Sequence, residues 1–264
     1  MTRSAVAALL ALLTFVALAA CTSEPDNEPE PARPLTSEEA QHLALVRFRN
    51  FDAGTRPVSF EVTDSGLTYV VEASVDFAAG LGYGLVSDPA GSETLLLGWS
   101  STTVSTTPWA GGEPAPLPAP PVDESWTTSA LSVEQSRLHA TLAILLELGA
   151  DRPDNALLLQ QTDARWLRDD EVTIDSDSDS DSDSVAVSVI AGPTADVVYD
   201  PESGLPDDGS AATLRYWVDD TGVAHRVELR LGAGGDWTVV DLGTGTGSGM
   251  ADQLGELADV LAAS

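Results

Sequence analysis

Lysine is missing from this chain. All 12 basic residues are arginine, and they face 42 acidic residues for a formal charge of −30. Without lysine there is no P-loop, no Schiff-base chemistry and no Ser-Lys dyad. The acid excess repels phosphate backbones and anionic headgroups, which excludes nucleic acid as a partner. There is one cysteine, Cys21, so the chain forms no intrachain disulfide and no thiolate zinc site. Beyond the N-terminus no stretch reaches the ~18 apolar residues of a membrane span; Leu142 to Leu146 is far too short. Gly-x-Ser-x-Gly and His-Glu-x-x-His are both absent, and Gly243–Gly249 does not match Gly-x-Gly-x-x-Gly. No nucleophile constellation is visible, so the expectation is a protein that is not an enzyme and carries no cofactor. With 43% hydrophobic residues and six Trp, stability is left to a packed core.

Arg3 is the only charge in the first 23 residues, and Ser4 to Ala20 is uncharged and mostly Ala, Leu and Val. A charged start, an apolar run and small residues before a cut describe a secretory signal peptide over 1–20. The run ends Leu18-Ala19-Ala20-Cys21, which resembles the lipobox of bacterial lipoproteins. The resemblance implies a diacylglyceryl group on the Cys21 thiol and Cys21 as the mature N-terminus. The protein is then expected on the extracytoplasmic face of the cell membrane, held by two or three acyl chains where one would bind only marginally.

Residues 21–34 read as an acidic, Pro-rich disordered tether behind the lipidated cysteine. A single domain is expected over 35–242. Thr36 and Glu39 form a capping box before Ala40, Leu43 and Ala44 at helical spacing. From Pro57 to Thr107 the period falls to two, as in Val58, Phe60, Val62 and in Tyr69, Val71, Ala73, Val75, with glycines between the runs. A Pro-rich link over 108–123 admits neither central strand nor helix. Ser132 and Gln135 make a second capping box, predicting a helix over 132–148. Leu138, Leu142 and Leu145 lie on one of its faces, and Gly149 follows its end. Strands resume at Val185, Val187 and Val189. Leu214–Val218 and Val223–Leu231 flank an Asp219-Asp220-Thr221-Gly222 turn, and Trp237–Leu242 closes the set. A Gly-rich link then leads, within 243–264, to a C-terminal amphipathic helix carrying Met250, Leu254, Leu257, Ala258 and Leu261. Strands in runs, not alternating with helices, argue an α+β fold with an antiparallel sheet.

The Asp-Ser loop 175–184 places five Asp at alternate positions. Same-side residues of an extended chain stand ~7 Å apart, too far to share one ion, and Ser180 and Ala186 occupy the positions where a calcium loop needs Gly and Glu. It reads as low-complexity sequence, not a metal site. His42, His139 and His225 lie far apart, with no partners placed for zinc or a triad. The Trp residues read as core with bonded indole N–H groups; Trp109 and Trp126, flanking the Pro-rich link, are expected to be the most exposed.

The lipobox, the helix with Arg47-Phe48-Arg49-Asn50-Phe51, and Leu214–Gly222 followed by Val227-Glu228-Leu229-Arg230 resemble actinobacterial lipoproteins. The element order is similar to the LolA and LprG type of lipid-carrying proteins. That resemblance implies a curved antiparallel sheet, an incomplete β-barrel covering helices around an apolar cavity. The Asp-Ser loop, the Pro-rich link and the final helix depart from the pattern. The function implied is a non-enzymatic carrier of a lipid or other hydrophobic ligand, with Leu138, Leu142 and Leu145 as lining. The alternative is a protein-interaction or scaffold module of the envelope. If the lipobox reading holds, Cys21→Ala abolishes incorporation of radioactive palmitate; equal labelling of mutant and wild type would refute it.

Overall fold

Strand pairing runs without a break through twelve strands, every neighbour antiparallel. The computed structural model describes residues 30–174, 183–194, 208–232 and 235–263. The expected signal segment, Cys21 and most of the Asp-Ser loop lie outside them. One up-and-down series comprises β2 (Thr55–Asp64), β3 (Leu67–Asp76), β4 (Leu81–Ser87), β5 (Thr94–Trp99), β6 (Thr103–Pro108) and β7 (Thr127–Ala130). A second comprises β8 (Arg165–Ile174), β9 (Asp183–Ala191), β10 (Leu214–Val218), β11 (Ala224–Arg230) and β12 (Trp237–Leu242). The last strand returns to the first: β12 pairs with β2 through Val240↔Phe60, Asp241↔Ser59 and Leu242↔Val58. The sheet is not closed. It ends at β7 on one side and at β1 (Arg33–Pro34), paired with β8, on the other. Both terminal strands are short, and β1 covers only Arg165 and Trp166, so the remainder of β8 is itself an edge.

Alternation sorts the two faces. Val58, Phe60 and Val62 of β2 and Val71 and Val75 of β3 turn to one face with Val227, Leu229 and Val240. Against that face pack α1 (Ser37–Asp52), α2 (Arg137–Glu147) and α3 (Ala156–Gln160). The opposite face of β4 and β5 presents Leu81, Tyr83, Leu85 and Leu96. It is covered by α4 (Ala251–Leu254) and α5 (Glu256–Ala262), which bury Leu254, Leu257 and Leu261 there, and by Ala115, Ala119 and Val122 of the Pro-rich link. Trp109 and Trp126, expected to be the most exposed indoles, pack half-buried against the same cluster.

Several elements match their sequence signals. Thr36 and Glu39 exchange both bonds of a capping box. The Asp219–Gly222 turn joins β10 to β11, with Gly222 at φ 81°. Others differ. The helix predicted over 132–148 is α2, which begins at Arg137 with Ser136 as its cap. The Ser132 N–H is taken instead by His139 Nδ1 at 3.0 Å. The C-terminal helix breaks at Gly255, φ 53°. β7, β8 and α3 carry no prior signal.

At the seam between the two series lies Arg56, 2% exposed. Its Nη2 donates to Ala224 O at 2.9 Å and Leu242 O at 3.2 Å, its Nε to Gly243 O at 2.9 Å, and its Nη1 to Asn50 Oδ1. Asn50 in turn donates to Leu148 O at 2.8 Å. Burial pushes the guanidinium down to about 10, and the field of Asp219 opposes that shift; it remains charged at neutral pH. Arg56→Met strips several buried acceptors of their donor at once, and each such loss costs about 1–3 kcal/mol. Chemical denaturation is expected to show a loss of at least ~3 kcal/mol; a change under ~1 kcal/mol would deny the residue its role.

Candidate functional site

The face predicted for ligand contact lies on α2. Leu142 and Leu145 are fully buried, and Leu138 is half-buried beside them in the same core. Trp99 belongs to that core too, and its indole N–H donates to Leu142 O at 3.1 Å. Trp99 fits because its cross-strand partner is Gly82: a Cβ there would come within 2.0 Å of the ring. The three leucines therefore belong to one packed core, and the indole of Trp99 is tied to the same helix through Leu142 O.

Both ends of α2 are held by polar contacts. Asp64, at the β2–β3 turn, accepts from Ser136 Oγ at 2.6 Å and from the Leu138 N–H at 3.3 Å. Burial works against its charge, but these bonds prevail and hold the carboxyl below its ordinary range. At the other end Arg47 donates to Glu147 O at 2.9 Å, and Asn50 holds Leu148 O. A surface cavity of about 230 Å³ opens at the start of α2, lined by Asp64, Val133, Ser136, Arg137 and Leu231 among others. It is smaller than the ~300–1,000 Å³ of sites that bury a drug-sized molecule, and it lies at the helix's end, away from Leu142.

The three histidines sit on α1, α2 and β11, and among the described residues no group of three His, Cys, Asp or Glu is placed to hold a metal. His225 Nε2 lies 2.9 Å from Asp219 Oδ2. Asp219 also accepts from Thr221 and Val223, which builds the β10–β11 turn. Four indole N–H groups are bonded: Trp99 to Leu142 O, Trp109 to Gly112 O, Trp166 to Asp169 and Trp217 to Asp170. Trp237 lies under Arg215 and Arg230, at 4.1 and 5.0 Å from its centroid. Sequence reasoning missed Trp99 and Asp64 as partners of α2, since nothing local marks a contact across dozens of residues. Cys21, the expected tether as far as Pro29 and most of the Asp-Ser loop lie outside the described residues. No described helix is long and apolar enough to cross a membrane.

Fold and site together define an antiparallel α+β domain with a helix seated on one face of an open twelve-stranded sheet. No protein-family model and no curated protein matches the chain. Among solved structures, the crystal structure of a DUF1329 family protein from Desulfovibrio piger is similar at 12% identity and a TM-score of 0.28, over 85% of this chain and 100% of that one.

His139 supplies a pH test of the α2 seat. Its Nδ1 accepts from Ser132 only while unprotonated. Burial lowers its pKa from 6.5, and nearby Asp64 opposes the shift. The unfolded chain therefore takes up this proton first. The stabilisation is present above pH 6.5 and is lost as the pH falls through 6.5 toward the folded value. His139→Gln keeps an acceptor without titrating. It is expected to flatten the fall in stability below pH 6.5, by less than about 1.4 kcal/mol per pH unit; an unchanged slope would exclude His139 as the source.

Proposed function

We propose that the chain is a lipid-anchored protein of the cell envelope that acts by binding, not catalysis, and that its folded body is an interaction module. The anchor rests on the lipobox at Cys21. The observation that carries the choice of module is the seat of α2. Leu142 and Leu145 are fully buried against the same core as Trp99, where a carrier of acyl chains would keep room.

A second reading remains the carrier of a lipid or other hydrophobic ligand, with the sheet curved as an incomplete barrel around its helices. It is favoured by the open sheet and by the apolar face of α2 laid on β2, β3 and β4. In that reading α2 moves aside to admit the ligand, and Leu138, Leu142 and Leu145 become its lining.

The two readings separate by experiment. If the body is a module, organic extracts of the purified protein yield no stoichiometric lipid. Leu142→Trp then overpacks a closed core and costs about 1–3 kcal/mol. In a carrier the extract holds lipid at about one per chain, and Leu142→Trp displaces it with little loss of melting temperature. Recovery of stoichiometric, displaceable lipid would overturn the module.

A further inference from the structure

The most exposed large hydrophobic side chain among the described residues is Leu157, 65% exposed, and its neighbour Leu158 is 42% exposed. Both lie on the five-residue α3, whose Ala156 and Leu159 turn inward to the core. Two adjacent leucines are thus held outward by a helix that is itself fixed. Asn155 caps it through the Leu158 N–H at 3.2 Å. The Asp154 N–H bonds Ala44 O at 2.9 Å, and α3 packs along α1.

The position of this helix is informative. Gln160 Nε2, at its end, donates to Leu35 O at 3.3 Å and Ser37 Oγ at 3.2 Å. That is where the chain enters the folded unit. The entry is pinned: Arg33 pairs with Glu39 at 2.8 Å, stacks 4.3 Å over Trp166 and joins β8 in the sheet. A polypeptide spans at most ~3.6 Å per residue, so a lipid on Cys21 keeps Arg33 within ~45 Å of the bilayer. The exposed leucines therefore sit beside the point by which the anchor holds the domain.

We infer that Leu157 and Leu158 rest in the outer interface of the bilayer that carries the Cys21 lipid, setting the orientation of the domain on the membrane. The inference rests on the lipid-anchored reading. A charge of −30 repels anionic lipid, so the contact is apolar and fits a zwitterionic surface. Leucine side chains of this kind immerse at the headgroup–acyl boundary without crossing it.

Cys21 is the only cysteine, and acylation consumes its thiol, so Leu157→Cys in the lipidated full chain introduces one free thiol for a nitroxide. Val239→Cys, on the opposite face of the sheet, is the control; it too is exposed. The labelled proteins are placed on phosphatidylcholine vesicles and recovered by flotation. At residue 157, collisions with lipid-soluble oxygen are expected to exceed those with a water-soluble nickel chelate several-fold relative to residue 239. Equal ratios at the two sites overturn the inference. Spin–spin broadening at residue 157 also overturns it, because it assigns the leucines to a second copy of the chain. Failure of the wild-type protein to float refutes the lipid anchor itself, and the inference with it.

Discussion

A buried guanidinium holds together a sheet whose two halves are otherwise joined at one narrow place. β2–β7 and β8–β12 each form by pairing neighbours in sequence, through short turns at most steps and through longer connections between β6 and β7 and between β9 and β10. Joining them requires β12 to find β2, which lies far earlier in the chain. The register there is short, but backbone bonds extend it: Gly243 N–H to Pro57 O and Thr246 N–H to Thr55 O, both at 2.9 Å. Arg56 sits on this join and reaches carbonyls of β11, β12 and the residue beyond, and also Asn50 of α1. Arginine suits the place because its planar fork offers five donors in fixed directions. Lysine, absent from this chain, would bring three donors to one point.

The acid excess has a structural side. With few basic partners available, the acids that shape the fold are satisfied by N–H and hydroxyl donors. Asp76, almost fully buried, accepts from the N–H groups of Ala79, Met250 and Ala251. It thereby fixes the start of α4 onto the turn after β3. Asp64 does the same for α2, and Asp219 for the β10–β11 turn. Each is a short carboxylate at a turn, the geometry in which Asp competes well for backbone donors. The remaining charge is left to the surface, where its field repels other anionic surfaces.

What could be read in advance was whatever is written locally. The capping box at Thr36 needs only residues three apart, and the β10–β11 turn needs only Asp219 and Gly222. The start of α2 was not legible, because a remote Asp64 and the hold of His139 on Ser132 select Ser136 over Ser132 as the cap. β8 was hidden by a register shift between Trp166 and Arg168 and by the charged run Arg168 to Glu171. β7, Thr-Thr-Ser-Ala, has no apolar alternation to show. The leucine face of α2 was legible from spacing alone. What it faces was not, since Trp99 and Gly82 reach it only through the sheet.

That last contact sets the terms for any ligand in this fold. To open the seat, α2 must release the Trp99–Leu142 bond, the Asn50–Leu148 bond and the two bonds from Asp64. At about 1 kcal/mol each, these hydrogen bonds sum to roughly 4 kcal/mol. Exposing Leu142 and Leu145 adds about 1.5–3 kcal/mol apiece. Opening thus costs about 7–10 kcal/mol, a large share of the ~5–15 kcal/mol by which a domain is stable at all. An acyl chain returns about 0.8 kcal/mol per methylene buried. It would have to bury on the order of ten methylenes before the open state matched the closed one. In the proposed carrier reading, that demand favours long acyl chains over small hydrophobes.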